Sequence, residues 1–329
     1  MKVVNLEPLW GDELGALLHD DIVYVPMDSE ASARQDPELK DADVVVSKSY
    51  DETLAGATPA LRLLVCPNAG TDRINRSLLP AGARVVNGGG HEIPIAEYVV
   101  GGLIALRQQF LIADRGLRAG NWLFSNNRPD AWVGELYGST VGFIGFGRIG
   151  REVLKRLHGF SVRARTVTMH PERLDAESEG IAALGSIANP SDIDALVASA
   201  DAVVICCELS SLTRGLIDAR RLELMKPTAH LVNVSRGAIC VERDLFAALR
   251  DHRIAGAALD VWYQYPPDLA SEPMLPAHCP FQTLDNVIMT PHSSDWTQGQ
   301  KGRKLALLAA AINDFAREGQ DASGAGKSP

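Results

Sequence analysis

The sequence predicts an α/β protein built from two doubly wound parallel-sheet domains. Short β-branched runs alternate with helical stretches along nearly the whole chain, and the alternation falls into two series separated by one long helical pattern. The second series opens on a glycine-rich turn. With 329 residues, 46% of them apolar, and a formal net charge of −9, the chain has room for two cores and lacks the composition of a disordered protein. An acidic balance with no block of Lys or Arg excludes a phosphate-tracking grip on nucleic acid. The longest apolar stretch, Tyr98 to Leu106, is about half of the ~20 residues that cross a bilayer, so no membrane partner is expected. The N-terminal MKVVNLEPLW lacks the apolar core and cleavage site of a secretory signal, which predicts a cytoplasmic location. Cys66, Cys206, Cys207, Cys240 and Cys279 are scattered and form no CxxC pair. They read as structural thiols in a reducing compartment, and no metal site is expected.

In the first series VVNLEP, DIVYVP, ADVVVS, LRLLVCP and ARVVNGGG are strands stopped by Pro, Gly or Asn, with helical spacing in DELGALLHD and around SYDETLAG. From Ile93 a helix begins with Pro94 in its first turn, where the missing N–H has no intrahelical partner. Its pattern runs past Arg115 toward Trp122, long enough to link two domains. TVGFIGFG, SVRARTVTM, DAVVICC, AHLVNVS, IAGAALDV and NVIMTPH then form a second parallel sheet, with helices such as DLFAALRDH between them. In AVVICCEL, Cys206 and Cys207 are expected on opposite faces of a buried strand. After Pro291 the chain is helical again, and the polar tail 319–329 is read as disordered.

Gly145, Gly147 and Gly150 spell G-x-G-x-x-G between the strand VGFI and the helix REVLKRLHG. The first glycine permits a tight turn, the second admits a pyrophosphate to the backbone, and the third lets helix and strand pack closely. The free N–H groups of the helix terminus, around Arg148 and Ile149, favour an anion, so a dinucleotide is expected in this Rossmann-type unit. The carboxylate that normally follows 18 to 20 residues later, to bind the adenosine ribose, is missing. Thr168 and His170 stand there, with Arg165 and Arg173 near and no acid before Glu172. The choice therefore tilts toward NADP, with NAD the other possibility. Cys207, at the end of the next strand, is placed along the same cofactor groove.

Three segments, TRGLID, the run from LMKPTAHLVNVSRG through IAGAALDVW, and NVIMTPHSS, resemble the D-2-hydroxyacid dehydrogenase family. Its members include glyoxylate and hydroxypyruvate reductases and phosphoglycerate, formate and phosphite dehydrogenases. The resemblance spans about residues 43 to 315. It implies a Rossmann cofactor domain, residues 101–291, inserted into a flavodoxin-like substrate domain made from residues 1–100 and 292–318. It implies a homodimer joined through the crossing helix, and NAD(P)-dependent hydride exchange with a small anionic 2-oxo or 2-hydroxy acid held between the domains. Arg236 is then the substrate-binding arginine, a permanently charged fork suited to a carboxylate. His292 is the general acid/base, an imidazole able to deliver the proton that balances hydride addition. Asp260 takes the position that binds the nicotinamide carboxamide; a capping carboxylate at a strand end is the plainer reading. The loop from Pro67 to Asp72 resembles the substrate-gripping loop, with Ala69 and Gly70 the contacts. Lys48 is a possible second anion contact, or simply an exposed lysine. Trp262 and Trp296 are read as shaping a pocket or an interface.

The family pattern breaks after Asp260. Where a Glu precedes Pro and pairs with the histidine, this chain has Tyr265 before Pro266, while Glu272-Pro273 comes near the family spacing counted back from His292. Tyr265 is the favoured partner because the count from Asp260 crosses no insertion. A neutral phenol orients an imidazole but cannot stabilise its cation as a carboxylate does. Ser294 after His292 is similar to the PHxS of formate dehydrogenases, whose reaction needs no proton transfer. Proton-free oxidation of formate or phosphite is thus an alternative activity, and a dinucleotide-sensing binding protein is the alternative outside enzymes.

Overall fold

The computed structural model describes residues 1–27, 34, 36–126, 128, 130–267 and 272–324. The chain divides into two compact units, Met1–His91 with Trp296–Pro329, and Glu92–Asp295.

In the first unit β1 (Lys2–Asn5), β2 (Val23–Pro26), β3 (Val44–Val46), β4 (Leu63–Cys66) and β5 (Arg84–Asn87) form a parallel sheet in the order β2-β1-β3-β4-β5. This is the flavodoxin-like order. Strand alternation sends Val3, Val44, Val46, Leu63 and Val65 to one face, against Leu305, Leu308 and Ile312 of the C-terminal helix Gln298–Gly324. Val4, Val45, Leu64 and Cys66 go to the other face, against Leu6, Tyr50 and Leu54. Each buried Val or Leu contributes about 2 kcal/mol, and parallel strands need both faces covered. The short helices α1 (Gly11–Gly15) and α2 (Glu52–Ala57) complete the unit, the latter capped by Asp51, which accepts from Leu54 N at 3.1 Å.

The second unit begins with α3 (Glu92–Arg107) and α4 (Phe110–Arg118). β6 (Thr140–Ile144), α5 (Arg148–Leu157), β7 (Arg163–Thr168), β8 (Ile181–Ser186), α6 (Pro190–Ser199) and β9 (Ala202–Ile205) follow. α7 (Ala219–Leu224), β10 (His230–Asn233), α8 (Glu242–Arg250), β11 (Gly256–Leu259) and β12 (Val287–Met289) end it. The seven parallel strands run β12-β11-β10-β9-β6-β7-β8, so the winding reverses between β6 and β9. Counted from β6 this is the 3-2-1-4-5-6 dinucleotide order with one strand added, and ligands of such sheets sit where the order reverses, beyond the carboxyl ends of the strands. Val203, Ile205 and Cys207 face one side of the sheet, and Ala202, Val204 and Cys206 face the other, as strand alternation requires.

Five sequence expectations change. The boundary expected at residue 100 lies at 91, because α3 buries Ile95, Ala96, Val99, Leu103 and Leu106 against Val141, Phe143, Val204 and Val232 of the second unit. His292 and Ser294 fall in that unit too, not with the C-terminal helix as the expected division at 292 had it. The single long crossing helix is two helices bent by 57°, because Gln109 takes φ 55°, a left-handed conformation that no right-handed helix continues. β8, IAALGS, was not foreseen, its Ala and Gly content hiding a strand. The C-terminal helix continues to Gly324, into the tail expected to lack structure, and residues 325–329 of that expectation lie outside the described residues. Among the described residues no single helix is long and apolar enough to cross a membrane.

One core histidine makes the second unit acid-sensitive. His230 at the start of β10 is 4% exposed, and burial, with the Arg107 charge adding to it, depresses its pKa to about 4. The folded value lies below the unfolded one near 6.5, so stability is complete above that pH and falls as pH drops toward 4, by about 3 kcal/mol. Urea unfolding followed from pH 7 to 4 should show this slope in the wild type, and most of it should vanish in His230→Leu.

Candidate active site

β6 delivers its last residue, Ile144, into the glycine turn. Gly145 has φ 91°, and a Cβ on it would lie 2.6 Å from both N and Cα of Cys207, so only glycine fits between β6 and the end of β9. Gly147 has no atom within 4 Å of a Cβ position, leaving its backbone open to an incoming group. A Cβ on Gly150 would lie 3.0 Å from the Phe146 ring. α5 then starts with no side-chain cap and no acidic residue in its first turn, so the positive end of its dipole favours an anion. Open backbone, tight turn and uncapped helix together fit a dinucleotide pyrophosphate. Cys207 contributes through its backbone, its carbonyl accepting from Ser235 Oγ. Burial pushes its thiol up to about 12 and raises that of Cys206 as well, which removes both as nucleophiles at neutral pH.

Thr168 ends β7, and beyond it His170, Glu172 and Arg173 form an exposed cluster. Glu172 Oε1 stands 3.2 Å from His170 Nδ1 and 3.8 Å from Arg173 Nε. A hydrogen bond from its own backbone, followed by His170 and Arg173, holds the Glu172 carboxyl below the usual range. His170 and Arg173, two of the residues expected to face a phosphate, thus share the Glu172 carboxylate.

At the carboxyl end of β10, Asn233 shapes the turn that carries Arg236. Its side chain accepts from Ser235 N at 3.1 Å and donates to Arg236 O at 3.0 Å. Arg236 is half-buried, with Nη1 donating to Ser235 O at 2.8 Å. Gly237 packs on the Trp262 backbone so closely that a Cβ would lie within 2.6 Å of its carbonyl carbon. Gly237 is therefore a packing requirement joining β10 to the end of β11.

β11 and β12 bring in the remaining chemistry. Asp260, with zero exposure, accepts from Thr290 Oγ1 at 2.6 Å, Ser293 N at 2.9 Å and Ser294 N at 2.9 Å. Thr290 Oγ1 also hydrogen-bonds the Tyr98 hydroxyl at 2.9 Å, and the Trp262 indole donates to Thr290 O at 2.7 Å. His292 is held between these anchors, exposed, with φ 58°, a conformation that costs a non-glycine residue about 1 kcal/mol or more. Its ring meets that of Tyr265, centroids 5.6 Å apart and tilted by 50°. The Tyr265 hydroxyl accepts from Trp262 N at 2.9 Å. Glu272 is exposed. Of the two residues weighed beside the histidine, the ring contact belongs to Tyr265. Trp262 is 5% exposed and packs on Phe281, making it a core staple instead of a pocket wall. Trp296 belongs to the other unit and is exposed. Ser294 is buried at 8%, anchored through its backbone.

In the first unit, the loop after β4 carries Ala69 and Gly70. Ala69 O accepts from Asn87 Nδ2 at 2.8 Å and Gly70 O faces Cys66 Sγ at 3.9 Å, while among the described residues neither N–H of the pair meets an acceptor. Lys48, beyond β3, is not simply an exposed lysine. Its N–H donates to Glu7 Oε1 at 2.9 Å and its ammonium lies 3.7 Å from Oε2 of the same residue, which is 6% exposed. Glu7, Asn233, Thr290 and Tyr98 were not singled out from the sequence. Glu7, Thr290 and Tyr98 are distinguished only by partners distant in the chain, and Asn233 only by the turn it shapes over the next three residues.

The family model for the "D-isomer specific 2-hydroxyacid dehydrogenase, NAD binding domain" matches residues 100–294. The chain is 31% identical to the D-3-phosphoglycerate dehydrogenase of Methanocaldococcus jannaschii over 284 residues, which is 85% of this chain and 51% of that protein. It thus spans about half the length of that relative. It is also 31% identical to the glyoxylate reductase of Pyrococcus furiosus over 292 residues, 85% of this chain and 81% of that one. Among solved structures, an acyclic imino acid reductase (Bsp5), in complex with NADPH and D-Arg, superposes with a TM-score of 0.76 at 22% identity, covering 97% of this chain and 98% of the other.

The glycine geometry separates folding from binding. Gly145→Ala should lower stability by about 2 kcal/mol or more, since both its φ and the Cys207 backbone oppose a side chain. Gly147→Ala should leave stability within about 1 kcal/mol yet weaken dinucleotide binding about tenfold or more, as its methyl enters the open approach. Thermal unfolding and a fluorescence titration read the two effects.

Proposed function

The chain belongs to the D-isomer specific 2-hydroxyacid dehydrogenase family, and from that premise we propose that it exchanges a hydride between a nicotinamide dinucleotide and C2 of a small 2-oxo or 2-hydroxy acid. The observation that carries this reading is the placement of Arg236, His292 and the open glycine turn at the carboxyl edge of one parallel sheet. The dinucleotide, held by the Gly145 to Gly150 turn with Arg148, Ile149, Cys207 and Thr168 beside it, supplies the hydride acceptor or donor. Arg236 binds the substrate carboxylate as a charged fork and polarises the adjacent carbonyl. His292 Nε2 or Nδ1 delivers a proton to the carbonyl oxygen as hydride arrives at carbon, and recovers it in the reverse direction. In the first unit Ala69 and Gly70 offer backbone N–H groups to an anion, and Lys48, steadied by Glu7, adds a positive charge at the strand ends of that sheet. Orientation by these contacts removes the search that a free encounter would need.

NADP is the proposed cofactor over NAD. Arg173 supplies a cation and His170 a ring N–H for a ribose phosphate, and Glu172 is the charge that has to turn away from it. The protein is proposed to act as a homodimer. No residue of α4 is buried, and Phe110, Leu117, Trp122 and Leu123 line a cavity of about 500 Å³ on an apolar face that a monomer would leave in water. Its five free thiols suit the reducing cytoplasm, where we place it.

A second reading has its own support. Tyr265, a neutral phenol, holds the ring contact with His292, and the backbone of Ser294 is anchored two residues on, so oxidation of formate or phosphite, which requires no proton from the histidine, is the alternative activity.

An assay of NADPH and NADH with glyoxylate, hydroxypyruvate, pyruvate and bulkier 2-oxo acids, beside formate and phosphite oxidation, separates the readings. Turnover of a 2-oxo acid is expected. Formate oxidation alone would move the assignment to the second reading, and tight dinucleotide binding without turnover to a sensor. Arg236→Ala should cost about a hundredfold or more in kcat/KM. Tyr265→Glu places a carboxylate by the imidazole and should raise its pKa. Reduction needs the protonated ring, so the limb along which kcat/KM falls with rising pH should move upward by about one unit. Sedimentation should give a dimer, and Trp122→Asp with Leu117→Asp a monomer.

A further inference from the structure

We propose that Tyr98, Thr290 and Asp260 form a positioning relay for the imidazole of His292, so that Asp260 acts on the histidine loop more than on the dinucleotide. The inference rests on the oxidoreductase reading above and assigns residues to it that the family match does not. An ionised carboxylate has about four acceptor positions. Asp260 fills three with Thr290 Oγ1, Ser293 N and Ser294 N, all within 2.9 Å and all on the segment that carries His292. The two N–H groups belong to the residues directly after His292, and the Trp262 indole fixes the carbonyl of the residue two before it. His292 is thus bracketed on both sides, which is what sustains its left-handed backbone and aims the ring outward. Thr290 is the joint of the relay, its single hydroxyl meeting both Asp260 and the Tyr98 hydroxyl. Tyr98 sits on α3, whose Ile95, Val99, Leu103 and Leu106 lie in the core, so the relay ties the histidine loop to a packed helix. Burial keeps the Tyr98 phenol neutral, with its pKa raised to about 12, so this anchor does not change with pH in the working range.

The test uses the full chain and three variants. Thr290→Val keeps the shape and removes the hydroxyl, Thr290→Ser keeps the hydroxyl, and Tyr98→Phe removes the outer anchor. Each is read by kcat, by the dinucleotide Kd from fluorescence, and by the His292 ring resonance in a carbon–proton NMR spectrum. Thr290→Val should lower kcat about tenfold, with Kd within about twofold of wild type, and should shift or broaden the His292 resonance. Thr290→Ser should restore all three, and Tyr98→Phe should lower kcat about threefold. An unchanged kcat and resonance in Thr290→Val would overturn the relay, as would a loss of dinucleotide affinity in proportion to kcat. If the wild type turns over no acid, the oxidoreductase reading fails on its own, and the resonance decides the relay: undisturbed in Thr290→Val, it overturns it; displaced there and restored in Thr290→Ser, it supports it.

Discussion

A carboxylate with no solvent exposure has to be met by donors, or its burial costs several kcal/mol. Asp260 is that group, and the donors it collects organise the carboxyl edge of the seven-stranded sheet. They come from the end of β12 and the turn beyond it, so the end of β11 and the histidine loop form one structure. Two close approaches continue the edge. Gly237 lies on the Trp262 backbone and joins β10 to β11, and Gly145 lies on the Cys207 backbone and joins β6 to β9. Turn, arginine and histidine are therefore spaced by contacts in which a methyl group has no room or a charge has no other partner.

That edge is also where an open parallel sheet is able to bind a ligand. Right-handed crossovers bury both faces under helices and leave the loops after the strands to carry function. In the second unit the winding reverses between β6 and β9, which opens the sheet edge beside the uncapped start of α5. The first unit repeats the logic on a smaller scale, with Lys48 and the Ala69-Gly70 loop following β3 and β4. A net charge of −9 is compatible with an anionic ligand because the positive groups are local: one helix terminus, Arg236, and a lysine anchored by Glu7.

Most strands were legible because Val, Ile and Leu runs stopped by Gly or Pro have few other uses, and the glycine turn was legible because each of its glycines answers a separate steric demand. β8 escaped because Ala182, Ala183 and Gly185 carry no strand signal, its pairing with β7 being decided across the sheet. The break at Gln109 escaped because one left-handed residue leaves the apolar spacing on either side almost intact. In the site, counting from Asp260 brought Tyr265 to the histidine, since nothing intervenes between them and β11. The work of Asp260, Glu7 and Tyr98 was not legible, because a buried hydrogen bond joins residues far apart in the chain, such as Thr290 and Tyr98, and leaves no pattern along it.

The central claim is that this edge moves a hydride between a nicotinamide and C2 of an acid, and isotope transfer tests it without an intermediate assumption. Reduced dinucleotide carrying two deuterium atoms at C4, incubated with the protein and a 2-oxo acid, should give a 2-hydroxy acid with one deuterium at C2 and none washed into water. A labelled dinucleotide that is consumed with no deuterium in the acid, or not consumed with any 2-oxo acid, would contradict the account.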